Sequence, residues 1–486
     1  MKLKELMKGI GVLECTADPE LEIETVCYDS RKASKSCLFV AISGFASDGN
    51  RFIPMALEKG ASAVVTAKKP EGDIPYVLVE SDRMALAMLG CNFYGHPAKS
   101  MTVIGITGTN GKTSSTLILK QVLERCLGAK VGLVGTMANM IGETVLPTER
   151  TTPESFELQK LFARMRQEGC THVVMEVSSH AVTLERIGGI RFDVAAFTNL
   201  TEDHLDFHKT MDAYCEAKAE LFRRCDKAVI NRDDPYAGRI LAAAGCPVLT
   251  TGLEEGADLR GENPELHAEG IRFTACYGGE KAQVALPIPG RFTVYNTLTV
   301  MGIALQLGIS LSDCAEALRW AKGVKGRVEV VPTPQTPYSV LIDYAHTPDG
   351  LENVLTSVRD FCRGRLIAVF GCGGDRDPMK RPIMGKIGVR CSDIAVITSD
   401  NPRTEAPMAI IRDILKGIDK DDGEYIVIED RRRAIRYAMD IAKKDDIIVL
   451  AGKGHETYQD IGGEKHHLDE REEVAAHLLE WKESCD

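Results

Sequence analysis

The sequence predicts an α/β protein of about three domains, two of them built on parallel β-sheets. Its 486 residues exceed what one hydrophobic core normally supports, since domains usually hold about 100–200 residues. From Met101 onward, short apolar runs alternate with segments of helical periodicity, an order typical of parallel sheets covered by helices. A second series of the same kind follows Arg327. Both series predict sheets whose strand ends carry the chemistry.

The first hundred residues have a different texture, with short strand-like segments before one helical stretch. Strands are expected at 38–42 and 63–66 and a helix at 83–94, after which Gly95-His96-Pro97 breaks the pattern. The strands expected in the central series lie at 103–106, 173–177, 194–197 and 228–230, and the segment 258–287 is typical of antiparallel pairing. The strands expected in the last series lie at 340–342, 366–370, 394–398, 425–428 and 447–451.

The charge and composition favour an enzyme of small molecules over a general nucleic-acid binder. The formal net charge is −11, whereas proteins that bind nucleic acid or anionic membranes usually present a basic surface. The first 16 residues lack the apolar core of a signal peptide, and no run approaches the ~20 apolar residues of a membrane span. The fifteen cysteines show no zinc-knuckle spacing. We expect a cytoplasmic monomer with reduced thiols.

The segment Thr107-Gly108-Thr109-Asn110-Gly111-Lys112-Thr113 predicts a phosphate-binding loop. It follows an apolar strand and precedes a helix, the order in which backbone N–H groups and a helix N-terminus meet phosphate oxygens. Lys112 would add a point charge, and the Thr113 hydroxyl would bind magnesium. Five residues separate Gly105 from Gly111, and Ile106 stands where the usual motif has its first glycine.

Polar side chains stand at or just after the ends of the two strands expected to flank this loop. Glu176 ends the strand at 173–177, a position suited to magnesium. His204 and His208 follow the next strand, four residues apart, a spacing that can place both on one face of a helix. A zinc hydrolase is disfavoured because no His-Glu-x-x-His order is present. Composition alone assigns no role to Lys218, which would ordinarily be a solvated lysine on a helix.

The chain resembles the Mur ligases of peptidoglycan synthesis over essentially its full length. The motifs that carry the resemblance are the phosphate loop, Glu176-Val-Ser-Ser-His180, 199–208, Pro289-Gly-Arg-Phe292, Tyr295-Asn296, Gly326-Arg-Val-Glu329 and Asp343-Tyr-Ala-His-Thr-Pro348. The resemblance implies a UDP-sugar domain at 1–99, a central P-loop ATPase domain with a parallel sheet at 100–328, and a C-terminal Rossmann-like domain for the incoming amino acid at 329–486.

The resemblance also implies a nucleotide site and a catalytic centre. Magnesium would be held by Thr113, Glu176, His204 and a carbamylated Lys218, with Lys112, Glu176, His204 and Lys218 as catalytic residues. Carbamylation would convert a cation into an oxygen-bearing anion, which suits magnesium. ATP would be contacted by Gly108, Thr109, Asn110, Gly111, Lys112, Thr113, Ser114, Asn296, Arg327 and Asp343.

For the UDP-linked substrate, the family pattern points to residues in three separate segments. They are Ser30, Thr151, Thr152, Ser178 and Arg186. Taken alone, Ser30 and Thr151 would be interpreted as turn or capping residues. Leu184 stands in this stretch where family members can carry a polar residue.

Three segments that follow strands of the last series predict the amino-acid site. Asp400-Asn-Pro-Arg403 resembles the family signature for meso-diaminopimelate, whose distal carboxylate Arg403 can bind in a forked pair while Glu456 accepts from the distal ammonium. L-Lysine lacks that carboxylate and would leave Arg403 unpaired. The residues expected to bind diaminopimelate are Arg376, Asp400, Asn401, Pro402, Arg403, Gly452 and Glu456.

The function that the sequence predicts is an ATP- and magnesium-dependent amide ligase. It would add meso-diaminopimelate to the D-Glu γ-carboxylate of UDP-N-acetylmuramoyl-L-alanyl-D-glutamate through an acyl phosphate. The alternatives are a sibling ligase that adds L-lysine, a folylpolyglutamate synthetase, and a nucleotide-gated binding protein without turnover. Ser30, Thr151-Thr152 and the segment 400–403 disfavour the folate enzyme, and the set Lys112, Glu176, His204 and Lys218 disfavours the binding protein.

Overall fold

A computed structural model describes residues 1–44, 47–334 and 336–485, without the side chains of residues 206 and 481–485. The chain divides into two compact units. The first comprises Met1–Leu259 and Thr299–Ser310, and the second comprises Arg260–Leu298 and Leu311–Asp486. In the part of the chain that is described, no helix is long and apolar enough to cross a membrane.

The first unit begins with a small mixed sheet in the strand order β1-β5-β4-β3-β2. Only β1 runs antiparallel, pairing with β5. The helix α3 begins at Ser81, whose side chain caps the Met84 N–H, and buries Leu86 and Leu89 against the sheet. The elements are α1 (Leu3–Leu6), β1 (Val12–Cys15), β2 (Thr25–Cys27), β3 (Cys37–Ala41), α2 (Ile53–Glu58), β4 (Ala61–Thr66), β5 (Tyr76–Val79) and α3 (Asp82–Phe93).

The same unit contains a larger sheet in the order β13-β12-β11-β6-β10-β7-β8-β9, parallel from β13 to β7. The short strands β8 and β9 continue it antiparallel. The elements are β6 (Thr102–Thr107), α4 (Lys112–Leu127), β7 (Val131–Val134), β8 (Asn139–Ile141), β9 (Thr144–Leu146), α5 (Ser155–Gln167), β10 (His172–Glu176), α6 (Ser179–Thr183), β11 (Phe192–Phe197), α7 (Leu205–His208), α8 (Met211–Ala219), β12 (Cys225–Asn231), α9 (Ala237–Ala243) and β13 (Val248–Gly252).

The strand β6 occupies the middle of this parallel sheet, between β10 and β11. Its residues from Val103 to Thr107 are buried, as are Val173, Val174 and Met175 of β10, because helices cover both faces. Continuous apolar runs are therefore the pattern of these strands. The register pairs Glu176 with Ile106, so the carboxyl ends of β6 and β10 meet at one edge.

From Arg260 onward, the second unit contains most of β14 and the antiparallel pair β15–β16. A mainly parallel six-stranded sheet follows, in the order β17-β18-β22-β19-β20-β21. Only β17 is antiparallel to its neighbour there. The strands are β14 (Leu259–His267), β15 (Gly270–Tyr277), β16 (Glu280–Leu286), β17 (Glu329–Val331), β18 (Ser339–Asp343), β19 (Leu366–Phe370), β20 (Ile394–Ile397), β21 (Glu424–Val427), β22 (Ile447–Ala451), β23 (Tyr458–Ile461) and β24 (Glu464–His467).

Helices pack on both faces of this sheet, and the two clusters of buried apolar residues lie one on each side. β23 and β24 form a separate antiparallel hairpin. The helices that complete the chain are α10 (Arg291–Gln306), α11 (Leu311–Leu318), α12 (Pro348–Arg359), α13 (Lys380–Cys391), α14 (Pro407–Leu415), α15 (Arg431–Ile441) and α16 (Glu470–Cys485).

The structure confirms the α/β class and every strand predicted from an apolar run, with ends shifted by at most three residues. One local prediction is wrong. His204 and His208 do not share a helical face, because His204 precedes α7 and has a left-handed backbone with φ of +53°. The Asp203 carboxylate accepts a hydrogen bond from the His204 N–H at 2.8 Å, a local bond that competes with helix formation.

Candidate active site

The phosphate loop leaves β6 at Thr107 and enters α4 at Lys112. Gly108 has φ of +151°, and a Cβ on it would lie 1.9 Å from the Thr198 hydroxyl oxygen, so only glycine fits. Gly111 is the left-handed residue that directly precedes α4. Because β6 continues through Thr107, Gly108 provides the turn that the usual motif assigns to its first glycine. All seven residues predicted here, 108–114, lie in this loop or in the first turn of α4.

The residues that follow β11 hold the loop from its other side. The Asn199 carbonyl accepts from the Thr109 N–H at 2.8 Å, and the Asn199 side-chain oxygen accepts from the Asn110 N–H at 2.9 Å. The Thr198 hydroxyl donates to the Asn110 carbonyl at 2.6 Å. The loop is therefore preorganised by direct hydrogen bonds from the adjacent strand end.

Glu176, at the end of β10, connects the phosphate loop with a second predicted site. Its side chain is buried, and Oε2 accepts hydrogen bonds from the Thr113 hydroxyl at 3.1 Å and the Thr136 hydroxyl at 3.0 Å. The Thr136 N–H donates to Oε1 at 2.9 Å. Since the Thr136 hydroxyl is already a donor to Glu176, the Thr151 hydroxyl, 3.0 Å away, donates to it. One carboxylate thus links the loop to the segment predicted to bind the UDP-linked substrate.

Two lysines converge on one carbonyl of the loop. Lys112 Nζ donates to the carbonyl oxygens of Gly108 and Thr109, each at 2.8 Å, and Lys218 Nζ donates to that of Gly108 at 2.8 Å. Burial lowers the pKa of Lys112. Burial, followed by the positive charge of Lys112, lowers the pKa of Lys218 well below its ordinary value. This environment favours a neutral Lys218 amine, the form that reacts with carbon dioxide to give a carbamate.

Aromatic rings surround Lys218 and the predicted histidine. Lys218 Nζ lies 4.4 Å from the ring centroid of Tyr214, and His204 contacts the same ring edge-on with centroids 6.1 Å apart. The Tyr214 hydroxyl lies 3.2 Å from the Thr109 hydroxyl, and burial raises the pKa of Tyr214 to about 12. His208 stacks on Tyr214, and its Nε2 lies 2.8 Å from the Ser179 hydroxyl. His208 therefore packs against residues of the site, and the His204 side chain is 46% exposed.

The donor set of this centre suits a hard cation. Thr113 and Glu176 already place a hydroxyl and a carboxylate oxygen together, and oxygen ligands are those that magnesium prefers. Within the described residues, no three His, Cys, Asp or Glu side chains form a group that could hold a metal. The predicted set contains only two such residues, Glu176 and His204, and depends on Thr113 and a carbamate on Lys218 for the others.

Four of the residues predicted to bind the UDP-linked substrate are connected to Glu176 through short contacts, and they are Thr151, Thr152, Ser178 and Arg186. The buried Thr152 donates to the Glu176 carbonyl at 2.8 Å, and Ser178 caps α6 by accepting from the Ala181 N–H. Arg186 donates to the Thr152 carbonyl at 3.2 Å and pairs with Glu154 at 2.9 Å. Ser30, in a short 3-10 helix, is buried beside the Met55 sulfur at 3.4 Å.

Sequence reasoning missed the carboxylate that organises these arginines. Glu154 receives Arg186, Arg150 at 2.7 Å and Arg83 at 3.8 Å, and its side chain is only 11% exposed. Three arginines on one carboxylate leave a net positive patch beside Thr152, which suits a phosphorylated substrate. The run Arg150-Thr-Thr-Pro-Glu154 was a visible signal, but only its threonines were singled out.

The remaining residues predicted to contact the nucleotide lie in the second unit. Asn296 is buried in α10. The Asp343 carboxylate accepts from the Val328 N–H at 2.8 Å, and burial raises its pKa. The exposed Arg327 lies over the Tyr344 ring at 5.5 Å. Asp343 therefore fixes the backbone that presents Arg327.

The second unit also brings together the residues predicted to bind the amino acid. The carbonyl of Gly374 accepts from Arg403 Nη1 at 2.8 Å, and the Arg403 backbone, with φ of +51°, donates to the Asp460 carbonyl. The Asn401 amide donates to Glu456 Oε2 at 2.9 Å. Pro402 is buried, Arg376 is exposed on the neighbouring loop, and Gly452 follows β22 directly. The segments after β19, β20 and β22 thus meet at one sheet edge.

Lys453 was not predicted, although it lies at the centre of this group. Its side chain is fully buried, and Nζ donates to Asn401 Oδ1 at 2.8 Å, Glu456 Oε2 at 3.2 Å and Asp400 Oδ1 at 3.3 Å. A lysine between two glycines at a strand end is the signal that could have identified it. Three oxygen acceptors compensate its buried charge.

Arg431 holds the two loops that follow β20 and β22. Its buried guanidinium donates to the Ala451 carbonyl at 2.9 Å and to the Ser399 carbonyl at 3.5 Å, the residues just before Gly452 and Asp400. Glu470, in the first turn of α16, pairs with it at 2.7 Å and is equally buried. The pair fixes the ends of β20 and β22 relative to one another.

Three protein-family models match the chain in consecutive segments. They describe a Mur ligase family catalytic domain at 22–96, a Mur ligase middle domain at 106–304, and a Mur ligase glutamate ligase domain at 326–454. The UDP-N-acetylmuramoyl-L-alanyl-D-glutamate--2,6-diaminopimelate ligase 1 of Clostridium acetobutylicum is 49% identical over 99% of this chain and 100% of its own length. A Clostridium botulinum protein named as the same ligase is 50% identical over 93% of this chain and 94% of its own length.

A solved structure of a UDP-N-acetylmuramoyl-L-alanyl-D-glutamate--2,6-diaminopimelate ligase shares the fold. Its TM-score is 0.78 at 30% identity, and the superposition covers 99% of both chains. The similarity therefore extends over nearly the whole chain rather than through the phosphate loop alone.

Proposed function

The chain belongs to the Mur ligase family, and on that footing we propose that it joins meso-diaminopimelate to the D-Glu γ-carboxylate of UDP-N-acetylmuramoyl-L-alanyl-D-glutamate. The reaction consumes ATP, gives ADP and phosphate, and belongs to peptidoglycan precursor synthesis. The observation that carries the proposal is the hydrogen-bonded series from Thr113 through Glu176 and Thr136 to Thr151, which connects a phosphate loop with a segment for the second substrate.

In the proposed reaction, the γ-carboxylate attacks the terminal phosphorus of ATP, displaces ADP and forms an acyl phosphate. The amine then attacks the acyl carbon, and the tetrahedral intermediate loses a proton and expels phosphate to give the amide. Phosphoryl transfer depends mainly on positioning and charge neutralisation. The loop N–H groups and Lys112 hold the nucleotide phosphates. Mg²⁺, held by Thr113, Glu176, His204 and carbamylated Lys218, supplies further charge neutralisation when bound.

The specificity proposed for the amine rests on the loops of the second unit. Arg403 is half-buried and held by the Gly374 carbonyl, so its guanidinium is oriented to bind a carboxylate. Glu456 is oriented by Asn401 and accepts from an ammonium. Arg376, Asp400, Pro402 and Gly452 complete the lining. L-Lysine offers only the ammonium, and its use would leave Arg403 without a partner.

We propose three domains, at 1–99, 100–328 and 329–486, for the UDP-sugar, ATP and the amino acid respectively. Strands β1–β5, β6–β16 and β17–β22 fall within these ranges. The UDP-linked substrate is assigned to Ser30, Thr151, Thr152, Ser178 and Arg186, and ATP to residues 108–114 with Asn296, Arg327 and Asp343. The protein is proposed to act as a cytoplasmic monomer on small molecules.

Phosphate release from ATP tests the proposal, with magnesium, UDP-N-acetylmuramoyl-L-alanyl-D-glutamate and either meso-diaminopimelate or L-lysine. We expect release only with diaminopimelate, and none from Lys112→Met, which removes the loop cation. The exposed Lys386→Met serves as the matched control and should retain wild-type turnover. Turnover with lysine alone would support the sibling ligase. Turnover with a folate and glutamate would support the synthetase, and silence with every amine would support the binding protein.

A further inference from the structure

We infer that Lys453 determines specificity for the incoming amine by setting the net charge of the amino-acid site. Its buried ammonium cancels one of the two carboxylates there, so the site matches an ammonium–carboxylate pair rather than a lone ammonium. The inference rests on the proposed function and adds a residue that acts on selectivity through its neighbours. Lys453 is therefore a positioning residue and need not touch the substrate.

Lys453 is the most deeply buried of the three charged residues that meet here. Its side chain is 0% exposed, against 7% for Asp400 and 15% for Glu456. Charges taken out of water are costly unless they are paired, and removing one partner of a buried group leaves the other uncompensated. Asp400 and Glu456 would face one another across the site as an unbalanced pair if Lys453 were neutral.

Lys453 also orients the polar groups around it. Asn401 Oδ1 accepts from Lys453 Nζ at 2.8 Å and from the Asp460 N–H at 2.9 Å, so the Asn401 amide nitrogen is directed to Glu456. Lys453 and Asn401 both donate to Glu456 Oε2. Among the described residues, this leaves Glu456 Oε1 as the oxygen available to a substrate ammonium.

The charges of six side chains at the site are balanced. Arg403 and Lys453 contribute two positive charges, and Asp400 and Glu456 contribute two negative charges, while the neighbouring Arg376 and Asp375 add one of each sign. These six side chains therefore sum to zero charge. The distal end of meso-diaminopimelate, one ammonium and one carboxylate, is neutral as well, whereas the distal end of L-lysine is a cation. Removing Lys453 shifts the sum by one negative charge and favours the cation.

The experiment compares neutral and charged replacements of Lys453 in the full chain, with ATP, magnesium and the UDP-linked dipeptide. Apparent affinities are taken from the KM for meso-diaminopimelate and the inhibition constant for L-lysine. In Lys453→Met and Lys453→Gln, we expect the preference for diaminopimelate to fall at least about tenfold, which corresponds to 1.4 kcal/mol. Lys453→Arg should keep the preference within about threefold. Lys465→Met, which replaces an exposed lysine of the β23–β24 hairpin, should leave the preference unchanged.

Two results would overturn the inference. One is a loss in the neutral variants that leaves the ratio of the two apparent affinities unchanged, because both affinities fall together or only kcat falls. A lysine with a merely structural role would give that result. The other is failure of both neutral variants to fold, measured by circular dichroism, since Gln retains a donor for Asn401. Failure of the proposed function has a different signature, because the wild-type protein would then release no phosphate with diaminopimelate.

Discussion

Replacing Lys218 with methionine should abolish ligation and at the same time stabilise the folded protein. Lys112 and Lys218 each donate to the Gly108 carbonyl at 2.8 Å, so their nitrogens are at most twice that distance apart, roughly 5.6 Å. At an effective dielectric constant of about 20, two unit charges at that separation would repel by about 3 kcal/mol, which is one reason why the folded protein favours a neutral Lys218. Methionine removes the free-energy cost of burying Lys218, whether as an ammonium repelled by Lys112 or as an amine deprotonated below its ordinary pKa, and the Gly108 carbonyl keeps Lys112 as its donor.

The expected gain in the free energy of unfolding is about 1–3 kcal/mol, or a rise of several degrees in Tm. The sign of its pH dependence follows from the lowered pKa of Lys218. Below the ordinary lysine pKa the unfolded chain binds the proton more readily than the folded one, so the lysine destabilises the fold increasingly as pH falls toward its folded pKa. The gain from Lys218→Met should thus be larger near pH 7 than at about pH 9.5.

Differential scanning fluorimetry in bicarbonate-free buffer, together with phosphate release, measures both effects. Lys120→Met is the matched control, because Lys120 is equally buried but paired with Glu124 at 2.8 Å and Glu143 at 3.1 Å. It should lower Tm, since it leaves those carboxylates without their cation. A Tm for Lys218→Met below that of the wild type would refute the reasoning, as would retained ligation.

Three further substitutions test the remaining parts of the site. Glu176→Gln should lower phosphate release at least about 100-fold and raise the magnesium concentration required, because the amide keeps its threonine partners but loses the charge; an unchanged magnesium dependence would contradict the proposed ligand role. Arg403→Ala should raise the KM for diaminopimelate by about 10- to 150-fold, which is the affinity ratio expected for the loss of a charge-assisted hydrogen-bond pair. An effect on kcat alone would argue against carboxylate binding by Arg403. Gly108→Ala should abolish ATP binding measured by calorimetry, because its Cβ would overlap the Thr198 hydroxyl; wild-type affinity would show that the loop can relax.

The apolar runs of the parallel sheets could be predicted from the sequence because burial on both faces imposes continuous hydrophobic residues. Strand 366–370 matches residue for residue, and the phosphate loop lies where the order of strand, glycines and helix predicts it. The short strands β8 and β9 were missed, since three residues are too few to show a period. The strands β1, of four residues, and β2, of three, were missed because they are similarly short.

The roles of single side chains were predictable only where a motif fixes them. Glu176 and Thr113 are hydrogen-bonded to one another, but Thr136, the other partner of Glu176, comes from a loop 40 residues earlier. Such a contact depends on how β7 and β10 pair, which local pattern does not encode. Lys453 was overlooked for a similar reason, because its three acceptors come from two loops and its burial is a tertiary property.

The ion pair between Arg431 and Glu470 has a consequence for the order in which the protein can be completed during synthesis. Ser399 and Ala451, whose carbonyls accept hydrogen bonds from Arg431, are synthesised before Glu470. Until Glu470 arrives, the guanidinium has no carboxylate to neutralise it, and an unpaired buried charge of this kind costs about 3–5 kcal/mol. At about 5–20 residues per second, the strands of the last sheet wait on the order of seconds for that partner. The loops of the predicted amino-acid site therefore reach their final conformation only after α16 has been synthesised, although every residue that lines them has been made earlier.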